Sequence, residues 1–145
     1  LRAVDRVVVT LGGREDLAIV ARQRVVDARQ LRTAMYEVVK KGTAKKAALP
    51  GFLVGGKTGT AEKYIPARKG YVDGSYVVSF VGFVESAAGP ELMGVVVIDD
   101  ATVAREVEYG GHLAAPLFRR IAGKVLALRD IQPNPAWMPA IAGER

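Results

Sequence analysis

The sequence predicts an α/β chain of the α+β type, an antiparallel sheet flanked by helices, and three observations carry that expectation. Tyr76–Val84 and Leu92–Asp99 are short apolar runs rich in β-branched and aromatic residues, the composition of strands buried in a sheet. Between them, Glu85-Ser86-Ala87-Ala88-Gly89-Pro90-Glu91 is a compact set of turn formers, which makes the pair a hairpin. On either side, segments 28–41 and 114–128 carry apolar residues at helical spacing. With 145 residues, 50% of them hydrophobic, the chain can bury one domain's core. No shift of composition marks a second globular unit, so it reads as a single domain or one lobe of one.

In chain order, Arg6–Thr10 and Leu17–Ala21 flank Gly12-Gly13 and predict a hairpin, within a segment 1–26 that reads as hairpin or domain boundary. The helix over 28–41 sets Leu31, Ala34, Met35, Val38 and Val39 on one face, with Asp27 placed to cap its start and Gly42 to end it. Arg29, Arg32, Lys40 and Lys41 form its solvated rim. A strand over Val54–Glu62 then leads into the hairpin. The helix over 114–128 has Pro116 in its first turn and Leu117, Ile121, Val125 and Leu128 as its apolar stripe, with Arg119, Arg120 and Lys124 opposite. A basic amphipathic helix can lie on a membrane, but a terminal helix covering a sheet is the commoner use and is the reading here. The main body is therefore 27–129. Residues 130–145, with Pro133, Pro135 and Pro139, form an extended tail in which Trp137 and Met138 either anchor to a groove or stay loosely held.

Composition narrows the function. The absence of cysteine rules out a disulfide framework and a thiolate zinc site. No stretch is long enough to span a bilayer, and Leu1–Asp5 has no signal-peptide core, so any membrane anchor is expected outside this chain. A net charge of +6 favours anionic surfaces. Nucleic acid is not expected as a partner, because Arg and Lys are scattered, aromatics are few and no nucleic-acid motif appears.

The run Val54-Gly55-Gly56-Lys57-Thr58-Gly59-Thr60-Ala61-Glu62 is the most informative stretch, a cation set among glycines and hydroxyls and suited to holding an anion. Gly51 to Thr58 also satisfies the P-loop spelling G-x-x-x-x-G-K-[ST]. A P-loop needs a buried strand before it and a helix after it. Here Lys45–Pro50 precedes, charged and proline-ended, and Gly59, Pro66 and Gly70 follow, which disfavours a helix. The extended reading, a strand carrying Lys-Thr-Gly, is preferred over the nucleotide one.

The blocks GGKTGTAEK, SYVVSFVGF, GVVVIDD and YGGHLAAPLFRRIA, in that order, resemble the C-terminal part of the transpeptidase domain of penicillin-binding proteins, and among these the monofunctional class B enzymes. The resemblance runs from about Asp27 to Leu128 and implies a partial serine β-lactamase/transpeptidase-like fold. It also implies a role in cross-linking peptidoglycan during elongation or division, through an acyl-serine intermediate. The substrate implied is a stem peptide ending in D-alanyl-D-alanine, with β-lactams trapped at the same serine. Lys57 is then the site cation, next to the family's second-motif serine. Thr58 and Thr60 offer hydroxyls to the substrate carboxylate, and the Thr60 N–H serves as an oxyanion donor. Gly59 leaves room for an extended peptide to add along an edge strand. Strand alternation puts Lys57 and Gly59 on one face and Thr58 and Thr60 on the other, so one ligand meets both sets only by docking edge-on. The partners implied are the remainder of the transpeptidase domain and other cell-wall synthesis proteins, at the outer face of the cytoplasmic membrane. No cofactor and no metal are implied.

The departure from the pattern is as informative. The serines are Ser75, Ser79 and Ser86, and none begins S-x-x-K or S-x-N. The nucleophile is therefore expected elsewhere, before Leu1 or on another polypeptide, and Ser79 reads as a small packing residue. His112, the single histidine, and the Asp99-Asp100 pair read as structural rather than catalytic. A β-lactamase, a β-lactam-sensing domain, or a non-catalytic interaction module or remnant of the same fold remain as alternatives. The Tyr109–Phe118 block favours the penicillin-binding protein. A lobe that needs its complement should expose apolar surface, whereas an independent module should not.

Overall fold

The computed structural model describes residues 6–12, 25–99 and 110–138. It is an α+β lobe of a four-stranded antiparallel sheet and two helices. The elements are β1 (Arg6–Gly12), α1 (Val25–Lys40), β2 (Leu53–Ile65), β3 (Gly70–Ser86), β4 (Gly89–Asp99) and α2 (Ala114–Leu128). The sheet order is β1-β4-β3-β2. Strand β1 pairs with β4 from Arg6↔Asp99 to Gly12↔Met93, so the N-terminal strand belongs to the main sheet. The second arm of the expected hairpin, 17–21, lies outside the described residues, as do Tyr109 and Asp100.

Register assigns the two faces. On one, Val54, Val78, Phe80, Val84, Leu92, Val96 and Ile98 are buried and meet α2, with the rings of Phe80 and Phe118 4.9 Å apart and inclined at 61°. Burying each such ring contributes roughly 1.5–3 kcal/mol, and an edge-to-face pair adds about 0.5–1.5 kcal/mol. On the other face, Tyr36 of α1 meets Phe83, ring centroids 5.3 Å apart, and Arg32 pairs with Glu85 at 3.2 Å. The two glycines before Lys57 have a packing role. A Cβ at Gly55 would stand 2.3 Å from the Phe83 ring, and one at Gly56 would stand 2.1 Å from the Phe80 ring. The tips of both rings reach over bare backbone, one on each face. After Thr58 the chain continues as strand to Ile65 instead of entering a helix, which removes the nucleotide reading.

Several local expectations are corrected. Helix α1 begins at Val25, so Asp27 is its third residue and not its cap. Leu31 is 62% exposed and Ala34 is exposed as well; the inward side is carried by Tyr36 and Val39. In α2 the buried stripe is Ala115, Phe118, Ala122 and Leu126, whereas Leu128 is 88% exposed. Both helices are apolar on more than one side; on α2 the sheet selects the side whose small Ala115 and Ala122 permit close approach. The turn between β3 and β4 is only Ala87-Ala88, with Gly89 at φ 116°. Glu85, Ser86 and Glu91 are buried beside it, where Ser86 Oγ donates to Glu91 Oε1 at 2.6 Å. The start of the tail is tied down: Asn134 N–H donates to the Gly51 carbonyl at 2.8 Å, while Met138 stays 44% exposed.

Candidate active site

Strand β2 ends the sheet and pairs only with β3 among the described residues, so its outer edge carries the Lys57–Thr60 run. Lys57 lies opposite Val81 and Gly59 opposite Ser79, on the α1 face but beyond the helix's cover; Lys57 is exposed and Val81 is 38% exposed. The Lys57 ammonium donates to the carbonyl of Thr58 at 2.8 Å. That carbonyl therefore stands on a side of the strand that a side chain can reach, and by the two-residue repeat the backbone groups of Thr60 stand on the same side. A Cβ on Gly59 would meet Ser79 Oγ at 2.5 Å, so the glycine keeps the surface between Lys57 and Ser79 low. Ser79 is thus a neighbour of the site, a position its place inside an apolar strand did not reveal.

Thr58 and Thr60 lie on the opposite face, and two segments far away in sequence reach them. The turn leading into α2 covers that face: Gly110 N–H donates to Thr60 Oγ1 at 3.2 Å, and a Cβ on Gly110 would stand 2.6 Å from the Ser79 carbonyl and 2.7 Å from the Gly59 carbonyl. Gly111 is equally close, since its Cβ would stand 2.0 Å from the Thr43 carbonyl. The other segment follows α1, where the Thr43 and Thr58 hydroxyls are hydrogen-bonded at 2.9 Å. Gly110 and Gly111 belong to the block YGGHLAAPLFRRIA that carries the resemblance, whereas Thr43 belongs to none of the blocks. Its only local signal was a hydroxyl directly after the glycine that ends the helix. His112 is exposed.

The structure sets Lys57, Thr58, Gly59 and Thr60 on a strand that pairs only with β3 among the described residues, the cation on one face and the two hydroxyls on the other. Such an edge can hold an extended peptide by its main chain and an anionic group by its hydroxyls and ammonium.

Residues 22–123 match the penicillin-binding protein transpeptidase domain, and the chain belongs to that family. It is 39% identical over 108 residues to the "Probable peptidoglycan D,D-transpeptidase PenA" of Neisseria gonorrhoeae, a match covering 74% of this chain and 18% of that protein. Among solved structures it resembles the transpeptidase domain of Burkholderia pseudomallei penicillin-binding protein 3, with a TM-score of 0.63 and 36% identity over 79% of this chain and 32% of that one. It also resembles penicillin-binding protein 3 of Mycobacterium tuberculosis in complex with ampicillin, with a TM-score of 0.59 and 29% identity, covering 74% and 25%. The chain thus spans about a fifth of the length of the curated relatives it matches. Among the described residues, no helix is long and apolar enough to cross a membrane.

Proposed function

We propose that this chain is the Lys-Thr-Gly lobe of a serine D,D-transpeptidase of the bacterial cell envelope, acting at the outer face of the cytoplasmic membrane on stem peptides that end in D-alanyl-D-alanine. The observation that carries the reading is the outer edge of β2, unpaired among the described residues, where an exposed Lys57 and the hydroxyls of Thr58 and Thr60 flank Gly59. The terminal carboxylate docks on the two hydroxyls, and the peptide extends along the edge past Gly59. The penultimate carbonyl then lies against the Thr60 N–H, which stabilises the oxyanion formed when the serine attacks. The serine oxygen bonds to that carbonyl carbon, the peptide bond to the terminal D-alanine breaks, and D-alanine leaves with a proton on its amine. The amine of a neighbouring stem peptide then displaces the serine. Lys57 favours the anionic substrate and, once the serine-bearing part of the domain is in place, turns from the Thr58 carbonyl to the second-motif serine.

The test is labelling with a fluorescent penicillin followed by intact mass of every polypeptide in the preparation. An adduct on a serine outside these residues, lost on Lys57→Ala, is the expected result. No adduct on any chain would reject catalysis and promote the non-catalytic module of the same fold.

A further inference from the structure

We propose that Thr43 is a positioning residue for the site: its hydroxyl donates to Thr58 Oγ1 and so turns the Thr58 hydrogen outward, toward the carboxylate of the ligand. This inference rests on the transpeptidase reading and extends it to a residue outside the Lys-Thr-Gly run.

The two oxygens are 2.9 Å apart, and either hydroxyl can donate within the bond. Ligand chemistry decides the direction. A carboxylate accepts only, so a threonine that binds it must spend its single hydrogen on it and can take from its other neighbour only a donated bond. Thr60 shows the same arrangement with no ambiguity of direction. Its Oγ1 accepts the Gly110 N–H at 3.2 Å, which leaves its hydrogen to point elsewhere. Each hydroxyl of the pair is therefore backed by a donor, Thr43 behind Thr58 and Gly110 behind Thr60. A hydroxyl that accepts one bond while donating another is polarised and donates more strongly.

Thr43 is held for this task by its backbone. Gly42 N–H closes the end of α1 on the Glu37 and Val38 carbonyls at 3.2 and 3.0 Å, and Ala44 N–H bonds Val38 O at 3.3 Å. Ala44 is fully buried, and Gly111 presses on the Thr43 carbonyl from the other side. The side chain itself is exposed, so it contributes little to the core and can be changed without unfolding the lobe.

The experiment uses the complete protein carrying both this lobe and the nucleophile, and compares a carboxylate-bearing penicillin with its methyl ester. Acylation is resolved into the binding constant and the acylation rate constant, for wild type, Thr43→Val and Thr43→Ser, with thermal unfolding of each as a check on folding. Thr43→Val is expected to weaken binding of the free acid by about five- to tenfold, the loss of one hydrogen bond of ordinary net strength. It should leave the ester and the acylation rate constant near wild type, and Thr43→Ser should restore the acid. Equal effects on acid and ester, or none on either, would overturn the role of Thr43 while leaving the transpeptidase reading standing. A wild-type protein that takes neither compound would overturn the transpeptidase reading, and the role of Thr43 with it.

Discussion

Replacing Gly111 by alanine tests whether the turn before α2 presses on the site as closely as the geometry states. The new Cβ would stand 2.0 Å from the Thr43 carbonyl oxygen, where ordinary contact begins near 3.4 Å, so two backbone segments must part by more than 1 Å. Neither yields easily: Thr43 is pinned between the end of α1 and buried Ala44, and Gly110 carries the hydrogen bond to Thr60. Overpacking of this kind costs about 1–3 kcal/mol, and loss of the Gly110 bond adds about 1 kcal/mol. Gly123→Ala in α2 is the matched control, since its Cβ would meet Leu49 Cδ2 at 3.5 Å, an ordinary contact. There alanine should stabilise by about 1 kcal/mol through helix propensity. In urea, with a slope of about 1–3 kcal/mol per molar, Gly111→Ala should lower the unfolding midpoint by roughly 1 M or more and Gly123→Ala should raise it by roughly 0.5 M. A Gly111→Ala variant with the wild-type midpoint, or two variants shifting the same way, would refute the close approach on which the site geometry depends.

The Tyr36 hydroxyl is buried between α1 and β3 and makes no hydrogen bond of good geometry; burial first, and then the neighbouring Glu85 carboxylate, pushes its ionisation well above the ordinary 10.0, with Arg32 opposing. A raised folded value gives stability that is whole below pH 10 and lost as pH climbs beyond it, so the wild-type urea midpoint should fall more steeply above about pH 10 than that of Tyr36→Phe. Parallel alkaline profiles would show that the phenol ionises freely in the folded state. Ser86→Ala removes the donor to the buried Glu91 carboxylate, a bond of 2.6 Å, together with the acceptor of Ala88 N–H. It should cost about 1.5–3 kcal/mol of unfolding free energy in a denaturant titration, and a loss within about 0.5 kcal/mol, the range of ordinary surface changes, would mean that Glu91 is held by its other contacts.

What was legible in the sequence was whatever depends on neighbours in the chain. The strand runs, the bounds of α2 and the Lys57–Thr60 motif follow from composition and period, and β2 stands at the sheet edge that the motif's chemistry requires. Period alone could not choose between apolar stripes on one helix, because Leu117, Ile121 and Val125 repeat as regularly as Phe118, Ala122 and Leu126. The choice belongs to Phe80, whose ring needs Phe118 opposite it. The burial of Glu85, Ser86 and Glu91 was equally hidden. A turn-forming composition predicts a turn, but only the packing of α1 brings Arg32 to Glu85 and lets the carboxylate stay inside.

The two glycine groups show why spelling misleads where geometry does not. Gly55 and Gly56 look like part of an anion cradle, yet their bare backbone is covered by the rings of Phe83 and Phe80, and they serve the core. Gly110 and Gly111 carry no anion-binding spelling, yet they lie against Gly59, Thr43 and the Thr60 hydroxyl and thereby shape the face on which Thr58 and Thr60 stand. A glycine is called for wherever two backbones, or a backbone and a ring, must touch, and the sequence records that need without recording the partner. Here the partners separate the two roles: aromatic rings for the pair that fixes the strand in its sheet, and site backbone for the pair that fixes the hydroxyls. The lobe's chemistry therefore depends on residues more than fifty positions from Lys57 as directly as on the motif itself.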